Sequence, residues 1–192
     1  MTNLHDQLFL WINLSAQTPP VWLALVRLCS TALPPSLLLG VLLTVALGRP
    51  GVRCTAVHML AAMALAWLLA HSIAGVWPMP RPFALGLGQL WLEHKNTPGF
   101  PSSHASVAWA FAAAGWWRLS AGPARWRPVR WVFPALALLI SWSRVALGVH
   151  FPFDVLAGAA VGVLAAALGR PLVRRLLAHL GRGFADPARL KP

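Results

Sequence analysis

A histidine and an aspartate stand close together in the segment SRVALGVHFPFD, residues 143–154, between two apolar runs. Gly148 marks a helix end and Pro152 suits the first turn of a helix, so the segment predicts a short link between two helices. From that first turn, Asp154 can reach the ring of His150 and hold one ring nitrogen. The other nitrogen is then free as a nucleophile or a base. The alternative interpretation is a capped turn with a surface histidine.

Two more groups of residues suit a phosphate. The segment PSSH is typical of a helix start, where the free backbone N–H groups of Ser103, His104 and Ala105 would point at an anion. Arg81 and Arg144 add planar, permanently charged guanidinium groups that match phosphate oxygens. Arg144 lies one turn before the predicted helix end. These groups together predict a site for a phosphoryl group.

Two histidines suit the chemistry that phosphoryl transfer requires. His150 can attack phosphorus while His104 protonates the leaving oxygen, and general acid help of this kind is typically worth about 10²–10⁴-fold. This scheme needs no metal and no cofactor. The competing interpretation is a metal site formed by His104, His150 and Asp154, but two arginines beside it would repel a divalent cation.

The composition is that of an integral membrane protein. Of the 192 residues, 58% are hydrophobic and 10% are charged, and the mean hydropathy is +0.64. The formal net charge is +12, but the basic residues lie between apolar runs, which favours a membrane surface over nucleic acid as the partner. Cys29 and Cys54 have no paired spacing, so neither a disulfide framework nor a cysteine metal site is predicted.

The apolar runs predict an all-α, polytopic membrane helix bundle. Residues 3–15 suit a helix lying in the membrane interface, with a short re-entrant segment as the alternative. Five spans are predicted, the first kinked at Pro34 and Pro35: 21–47, 54–76, 101–118, 131–147 and 152–168. A single domain, 1–192, is expected, with its motif region at 71–154 and a basic tail at 170–192. A removable signal peptide is not expected.

The basic residues predict the orientation of the bundle. Twelve of the sixteen lie on one predicted face: Arg49, Arg53, Arg118, Arg125, Arg127, Arg130, Arg170, Arg174, Arg175, Arg182, Arg189 and Lys191. By the positive-inside rule this face and the C-terminus are cytoplasmic. The segments that carry Arg81, His104 and His150 then share the outer face.

These motifs resemble the three-part signature of the phosphatidic acid phosphatase type 2 and haloperoxidase superfamily. SRVALGVHFPFD fits the pattern SRx5Hx3D without a gap, PSSH resembles PSGH, and RPF resembles the end of Kx6RP. The resemblance extends from about residue 81 to residue 154. It implies a small bacterial lipid phosphatase of the cytoplasmic membrane, with its active site on the periplasmic or extracellular side.

The resemblance also implies roles for individual residues. His150 is the nucleophile, held by Asp154, and forms a phosphohistidine intermediate, while His104 is the acid. Arg81 and Arg144 bind phosphate. Ser102, with the backbone amides that follow it, completes the phosphate cradle. The implied substrates are undecaprenyl diphosphate, phosphatidic acid or phosphatidylglycerophosphate.

The sequence departs from the family pattern at three positions. The family lysine is replaced by Ala74, a frequent extra arginine by Met79, and the glycine of the second motif by Ser103. The pocket is therefore poorer in cations than the pattern. Lys95 or His71 is hypothesised to supply the missing charge.

Two other functions remain open from the sequence. A lipid phosphotransferase would share the histidine intermediate but pass the phosphoryl group to a lipid hydroxyl. A non-catalytic protein that binds lipid phosphates would account for the missing lysine. A haloperoxidase is disfavoured because the spans leave little room for that soluble domain. The sequence does not indicate an oligomeric state.

Overall fold

The computed structural model describes residues 4–179, which form seven α-helices and two short 3-10 helices without a β-strand. The α-helices are α1 Leu4–Ile12, α2 Pro20–Thr31, α3 Leu33–Leu47, α4 Pro50–Val76, α5 Ser103–Ser120, α6 Val132–Ala146 and α7 Pro152–His179. The 3-10 helices are Pro82–Leu85 and Ala124–Trp131. The predicted all-α bundle is confirmed.

Four helical stretches are long and apolar enough to cross a membrane: Pro20–Leu47, Pro50–Val76, Ala124–Ala146 and Pro152–Arg175. The chain is therefore a multi-pass membrane protein. The first stretch contains α2 and α3, which are separated at Ala32, just before the two prolines that predicted the kink. The remaining predicted span is α5, which is 18 residues long. It is the central helix, packed against α4, α6 and α7.

Two glycines bring α5 and α7 unusually close together. A Cβ atom on Gly158 would lie 2.6 Å from the carbonyl oxygen of Ser102, and one on Gly162 would overlap the carbonyl oxygen of Ser106. The two glycines are four residues apart, a spacing of small residues that lets two helices pack closely. One turn earlier on α7, the carbonyl oxygen of Asp154 accepts a hydrogen bond from the Ser102 amide at 2.9 Å. The start of α5 is thereby fixed beside the start of α7.

Helix α1 packs against the bundle through Phe9, which is fully buried. Leu4 and Trp11, which share the apolar face of the helix, are 68% and 85% exposed. Phe9 contacts Phe151, in the α6–α7 link, with a ring separation of 5.4 Å. A pocket formed by distant segments determines this orientation, so helical periodicity alone did not reveal it.

The long loop between α4 and α5 is attached to the rest of the bundle by side chains far away in sequence. Asn13 donates to the carbonyl oxygens of Gln89 and Ala146, both at 3.0 Å, and accepts from the Gln89 amide at 2.7 Å. Arg27 donates to the carbonyl oxygen of Trp91 at 2.9 Å. Arg27 therefore anchors the loop.

Helix α7 continues beyond the predicted end of its span at Leu168. The apolar run marks the part that suits lipid, whereas the helix itself continues into the basic segment and includes Arg170, Arg174 and Arg175. The rest of the predicted basic tail, residues 180–192, lies outside the described residues.

Candidate active site

The predicted pairing of His150 with Asp154 is present in the link between α6 and α7. Gly148 takes a positive φ of 79° after the end of α6, and α7 begins at Pro152. His150 is 1% exposed, and its Nδ1 lies 3.4 Å from Asp154 Oδ2. The Phe151 amide donates to the same oxygen at 2.9 Å. Because a carboxylate oxygen accepts, Nδ1 carries the ring proton and Nε2 keeps its lone pair.

Arg81 covers that lone pair. Its Nη1 donates to His150 Nε2 at 3.0 Å and to the Val149 carbonyl oxygen at 3.1 Å. Its Nε donates to the carbonyl oxygen of Thr97 at 2.8 Å, and its Nη2 to that of Pro98 at 3.1 Å. Arg81 is buried, and it connects the long loop to the histidine. A phosphate that attracts Nη1 would uncover Nε2 of His150.

Arg144 is buried with part of its guanidinium unpaired. Its Nη1 donates to Ser30 Oγ at 2.7 Å. Its Nε and Nη2 are buried and have no hydrogen-bond partner among the residues that the structure describes. Buried donors without a partner are unfavourable, and an arginine is well suited to two parallel hydrogen bonds with an anion. This edge of Arg144 therefore suits a phosphate.

The electrostatic surroundings keep His150 neutral. Burial lowers the pKa of His150 well below its ordinary value of 6.5, and the positive charges of Arg81 and Arg144 lower it further. Burial also lowers the pKa of Arg81, whereas the negative charge of Asp154 raises it. A neutral imidazole with a lone pair on Nε2 is the form required of a nucleophile.

His104 lies on a cavity between four helices of the bundle, which is open to the outer surface of the bundle at Leu38 and Trp67. This cavity has a volume of about 530 Å³. It is bounded by α3, α4, α5 and α6, and its lining is mostly apolar: Pro34, Pro35, Leu37, Leu38, Leu60, Met63, Ala64, Trp67, Ser103, His104, Val107, Ala108, Phe111 and Ile140. Ser103 and His104 are the polar residues at its α5 end. The predicted acid, His104, therefore lies beside a mostly apolar cavity.

The start of α5 differs in one detail from the predicted anion cradle. Ser102 caps the helix, because its Oγ accepts from the Ala105 amide at 3.5 Å, so that amide is not free for an anion. Ser102 itself is fully buried. The role of Ser102 as a phosphate ligand stays a prediction, while its role as a helix cap follows from the local geometry.

The two residues hypothesised to replace the family lysine lie on the surface. The His71 ring packs against the Trp67 ring in a tilted arrangement, with the ring centroids 4.0 Å apart, and its Nδ1 lies 2.9 Å from the Trp67 carbonyl oxygen. Lys95 is exposed. A role for either residue at the phosphate site stays a prediction.

Sequence reasoning missed His94, which is half-buried in the long loop. Its Nδ1 donates to the Lys95 carbonyl oxygen at 2.8 Å. Burial lowers the pKa of His94, its hydrogen bond to Lys95 raises it, and the charges of Arg81 and Arg144 lower it again. His94 is thus within electrostatic range of both arginines. No motif spacing links this loop position to them, so the sequence carried no signal for it.

The alternative metal site would require three ligating side chains at one place. Within residues 4–179, no group of three His, Cys, Asp or Glu side chains is arranged to hold a metal ion. The arrangement instead combines one buried imidazole facing a carboxylate, a second histidine and two buried arginines. That combination suits the transfer of a phosphoryl group.

Comparison with known sequences identifies a relative that matches nearly the whole chain and another that matches half of it. The sequence model of the PAP2 superfamily matches residues 55–177. YbjG of Escherichia coli strain K12, named as a candidate undecaprenyl-diphosphatase, is 30% identical over 203 residues, covering 98% of this chain and 96% of YbjG. Undecaprenyl-diphosphatase BcrC of Bacillus subtilis strain 168 is 29% identical over 97 residues, covering 50% of this chain and 47% of BcrC.

Two solved structures share the fold. LpxE of Aquifex aeolicus has a TM-score of 0.70 and 22% identity, covering 88% of this chain and 96% of that one. The PAP2-type phosphatidylglycerolphosphate phosphatase of Bacillus subtilis has a TM-score of 0.64 and 19% identity, covering 90% of this chain and 86% of that one. At these identities the likeness concerns the fold alone.

Proposed function

Since this chain belongs to the PAP2 superfamily and is a membrane phosphatase, we propose that it hydrolyses a lipid diphosphate through a phosphohistidine intermediate on His150. The observation that carries this proposal is the buried His150 itself. Its Nδ1 faces Asp154 and its Nε2 faces Arg81, so the lone pair points towards a phosphate-binding group.

In the first half-reaction, the phosphate draws Arg81 Nη1 away from His150 Nε2. The lone pair of Nε2 then attacks the terminal phosphorus, and the bond from phosphorus to the leaving oxygen breaks. His104 gives its proton to that oxygen. Arg81 and the unpaired edge of Arg144 stabilise the charge on the phosphoryl oxygens.

In the second half-reaction, water attacks the phosphorus of the phosphohistidine. His104, now neutral, takes a proton from this water, and the bond between nitrogen and phosphorus breaks. Inorganic phosphate leaves and His150 recovers its lone pair, held again by Asp154. The cycle consumes one water molecule and needs no metal ion.

The apolar cavity beside His104 supports a lipid as the substrate. Its wall between α3 and α5 is built from aliphatic and aromatic side chains, which suit a hydrocarbon chain. A chain lying in this cavity would hold its phosphate end near the start of α5. We assign a polyprenyl diphosphate such as undecaprenyl diphosphate as the substrate. The reason is that YbjG, which is matched over 96% of its length, is named as a candidate undecaprenyl-diphosphatase.

The active site is proposed to face the outside of the cytoplasmic membrane, with the C-terminus inside. The positive-inside count supports this orientation. It can be tested with a membrane-impermeant maleimide on whole cells, after Cys29 and Cys54 are replaced by serine. Lys95→Cys should be labelled in intact cells, whereas Arg125→Cys should be labelled only after lysis. The reverse pattern would overturn the orientation.

The function itself is tested by phosphate release in detergent from undecaprenyl diphosphate, phosphatidic acid and phosphatidylglycerophosphate, with EDTA present. The parent should release phosphate, and His150→Ala should lose the activity. His179→Ala, which changes an exposed histidine at the far end of α7, is the matched control and should retain it. If the His150→Ala variant still releases phosphate, the proposed mechanism is wrong.

Product analysis and trapping distinguish the remaining outcomes. Rapid quenching should trap an acid-labile, alkali-stable phosphoenzyme in the parent and in His179→Ala, but not in His150→Ala. Phosphorylated lipid acceptors without free phosphate would mean a phosphotransferase. Substrate binding with neither product would mean a binding protein.

A further inference from the structure

Ser30 contacts one of the two arginines of the proposed phosphate site from outside the recognised motifs. It lies on α2, and the family match begins only at residue 55. Ser30 Oγ accepts from Arg144 Nη1 at 2.7 Å across 114 residues of sequence. Both residues are 2% exposed. In this buried place, a hydrogen bond to a charged donor is stronger than one between neutral groups.

The contact leaves one edge of the guanidinium available. Nε and Nη2 of Arg144 lie on the same side of the group, and neither has a partner among residues 4–179. Nη1, on the other side, is the nitrogen that Ser30 holds. A side-on edge with two parallel N–H groups is the geometry that binds two oxygens of one phosphate.

The position of the Ser30 hydroxyl is itself fixed by packing. One turn before Ser30, Val26 is buried in a cluster with Ala146, Leu147 and Val149, at the end of α6 and the start of the link. This cluster holds α2 against the element that carries Arg144. The hydroxyl therefore has little freedom to follow the guanidinium if the latter rotates.

We infer that Ser30 is a positioning residue, which holds Arg144 so that its Nε and Nη2 face the phosphate of the substrate. This inference rests on the proposed function, since it assumes that the free edge of Arg144 binds phosphate. Without the hydroxyl, Nη1 becomes a third donor without a partner. If the guanidinium rotates to pair Nη1 with another acceptor, Nε and Nη2 no longer face the phosphate. Through Ser30, helix α2 contributes to phosphate binding by the arginine of the third motif.

The test compares Ser30→Ala with Ser30→Thr, which keeps the hydroxyl, and Ser30→Cys, which keeps the approximate volume. Ser141→Ala is the matched control, because Ser141 is a buried serine one turn before Arg144 that accepts one N–H from Trp109 at 3.2 Å. Two readouts are used. The first is the concentration of inorganic phosphate that protects half-maximally against thermal unfolding. The second is kcat and KM for a short-chain lipid diphosphate.

Ser30→Ala should weaken phosphate binding and raise KM by about 10- to 100-fold, as expected when a buried charged group loses its hydrogen-bond partner. Ser30→Thr should restore both quantities to within about threefold of the parent. Ser141→Ala should leave them unchanged. If Ser30→Ala does not fold, Ser30→Cys should show the same weakening, since a thiol is a poor acceptor.

Unchanged phosphate binding in Ser30→Ala would overturn the inference, and so would equal weakening in Ser30→Ala and Ser30→Thr, because that result indicates lost packing. Failure of the inference is separable from failure of the proposed function. If the parent hydrolyses the lipid and Ser30→Ala does so equally well, only the role of Ser30 is wrong. If the parent releases no phosphate but binds it in a Ser30-dependent way, the phosphatase mechanism is wrong and the positioning role stands. A parent that does not bind phosphate would overturn the inference.

Discussion

The Asp154 carboxylate gives His150 both a hydrogen-bond acceptor and a negative charge. Replacement of Asp154 by asparagine separates these two contributions. One oxygen, Oδ2, accepts from both His150 Nδ1, at 3.4 Å, and the Phe151 amide, at 2.9 Å. An asparagine amide nitrogen at that place would face the Phe151 N–H donor, so Asp154→Asn should turn its oxygen there. The proton on Nδ1 is then retained, and only the negative charge is lost.

The expected loss in Asp154→Asn is therefore modest. A hydrogen bond to a charged group contributes about 1.5–3 kcal/mol and a neutral one about 0.5–1.5 kcal/mol, so the exchange costs about 1–1.5 kcal/mol. That difference corresponds to about a 5- to 15-fold decrease in kcat/KM. Asp154→Ala leaves both N–H groups without this acceptor, at about 1–3 kcal/mol each, and should decrease kcat/KM by about 30-fold or more.

The assay is steady-state phosphate release from a short-chain lipid diphosphate by the parent, Asp154→Asn, Asp154→Ala and His150→Ala. Activity should fall in that order. If Asp154→Asn is as inactive as His150→Ala, the ring has changed tautomer and the shared-oxygen argument is wrong. If Asp154→Asn equals the parent, the charge of the carboxylate has no part in the reaction.

Three further predictions concern backbone geometry, pH and the lipid chain. Gly148→Ala should lower the thermal unfolding midpoint by several degrees in detergent, because a left-handed φ disfavours alanine by about 1–2 kcal/mol and the new methyl group overlaps the Gln89 carbonyl oxygen. Because burial and the charge of Arg81 lower the pKa of His150, the neutral nucleophile persists below pH 6.5. As the pH is lowered, kcat/KM, corrected for ionisation of the substrate, should therefore begin to fall only well below 6.5, and an acidic limb centred at 6.5 or higher would contradict this. Ala64→Phe, which narrows the cavity, should raise KM by about tenfold for a long-chain lipid diphosphate but hardly change it for a short-chain one, and equal changes for both would show that the chain lies elsewhere.

The parts of the site that the sequence predicted are those set by local spacing. His150 and Asp154 are four residues apart at the start of a helix, and Gly148 and Pro152 mark the helix boundaries on either side. Such contacts depend on the helical repeat and on punctuation by glycine and proline, which are properties of the sequence itself. The pairing and the link between α6 and α7 could therefore be placed in advance.

The contacts that depend on tertiary packing could not be predicted. Ser30 contacts Arg144 across 114 residues. Topology and the family resemblance placed Arg81 and His150 at one site, but not the direct hydrogen bond between them across 69 residues. His94 comes near the arginines only because its loop folds over the site. In α1, the same holds for Phe9, whose burial depends on a pocket made by other segments. Sequence periodicity shows which face of a helix is apolar but not which neighbour it meets.

The attachment of the long loop has a consequence for engineering this enzyme. The loop that presents Arg81 is tied down by Asn13 and Arg27, and both lie before residue 55, where the family match begins. A shortened chain with the signature-bearing helices alone would keep His150 and lose these two ties. The active site therefore cannot be transferred by its three motifs alone. Another helical scaffold that receives these motifs will also have to supply hydrogen bonds equivalent to those that Asn13 and Arg27 make to the long loop.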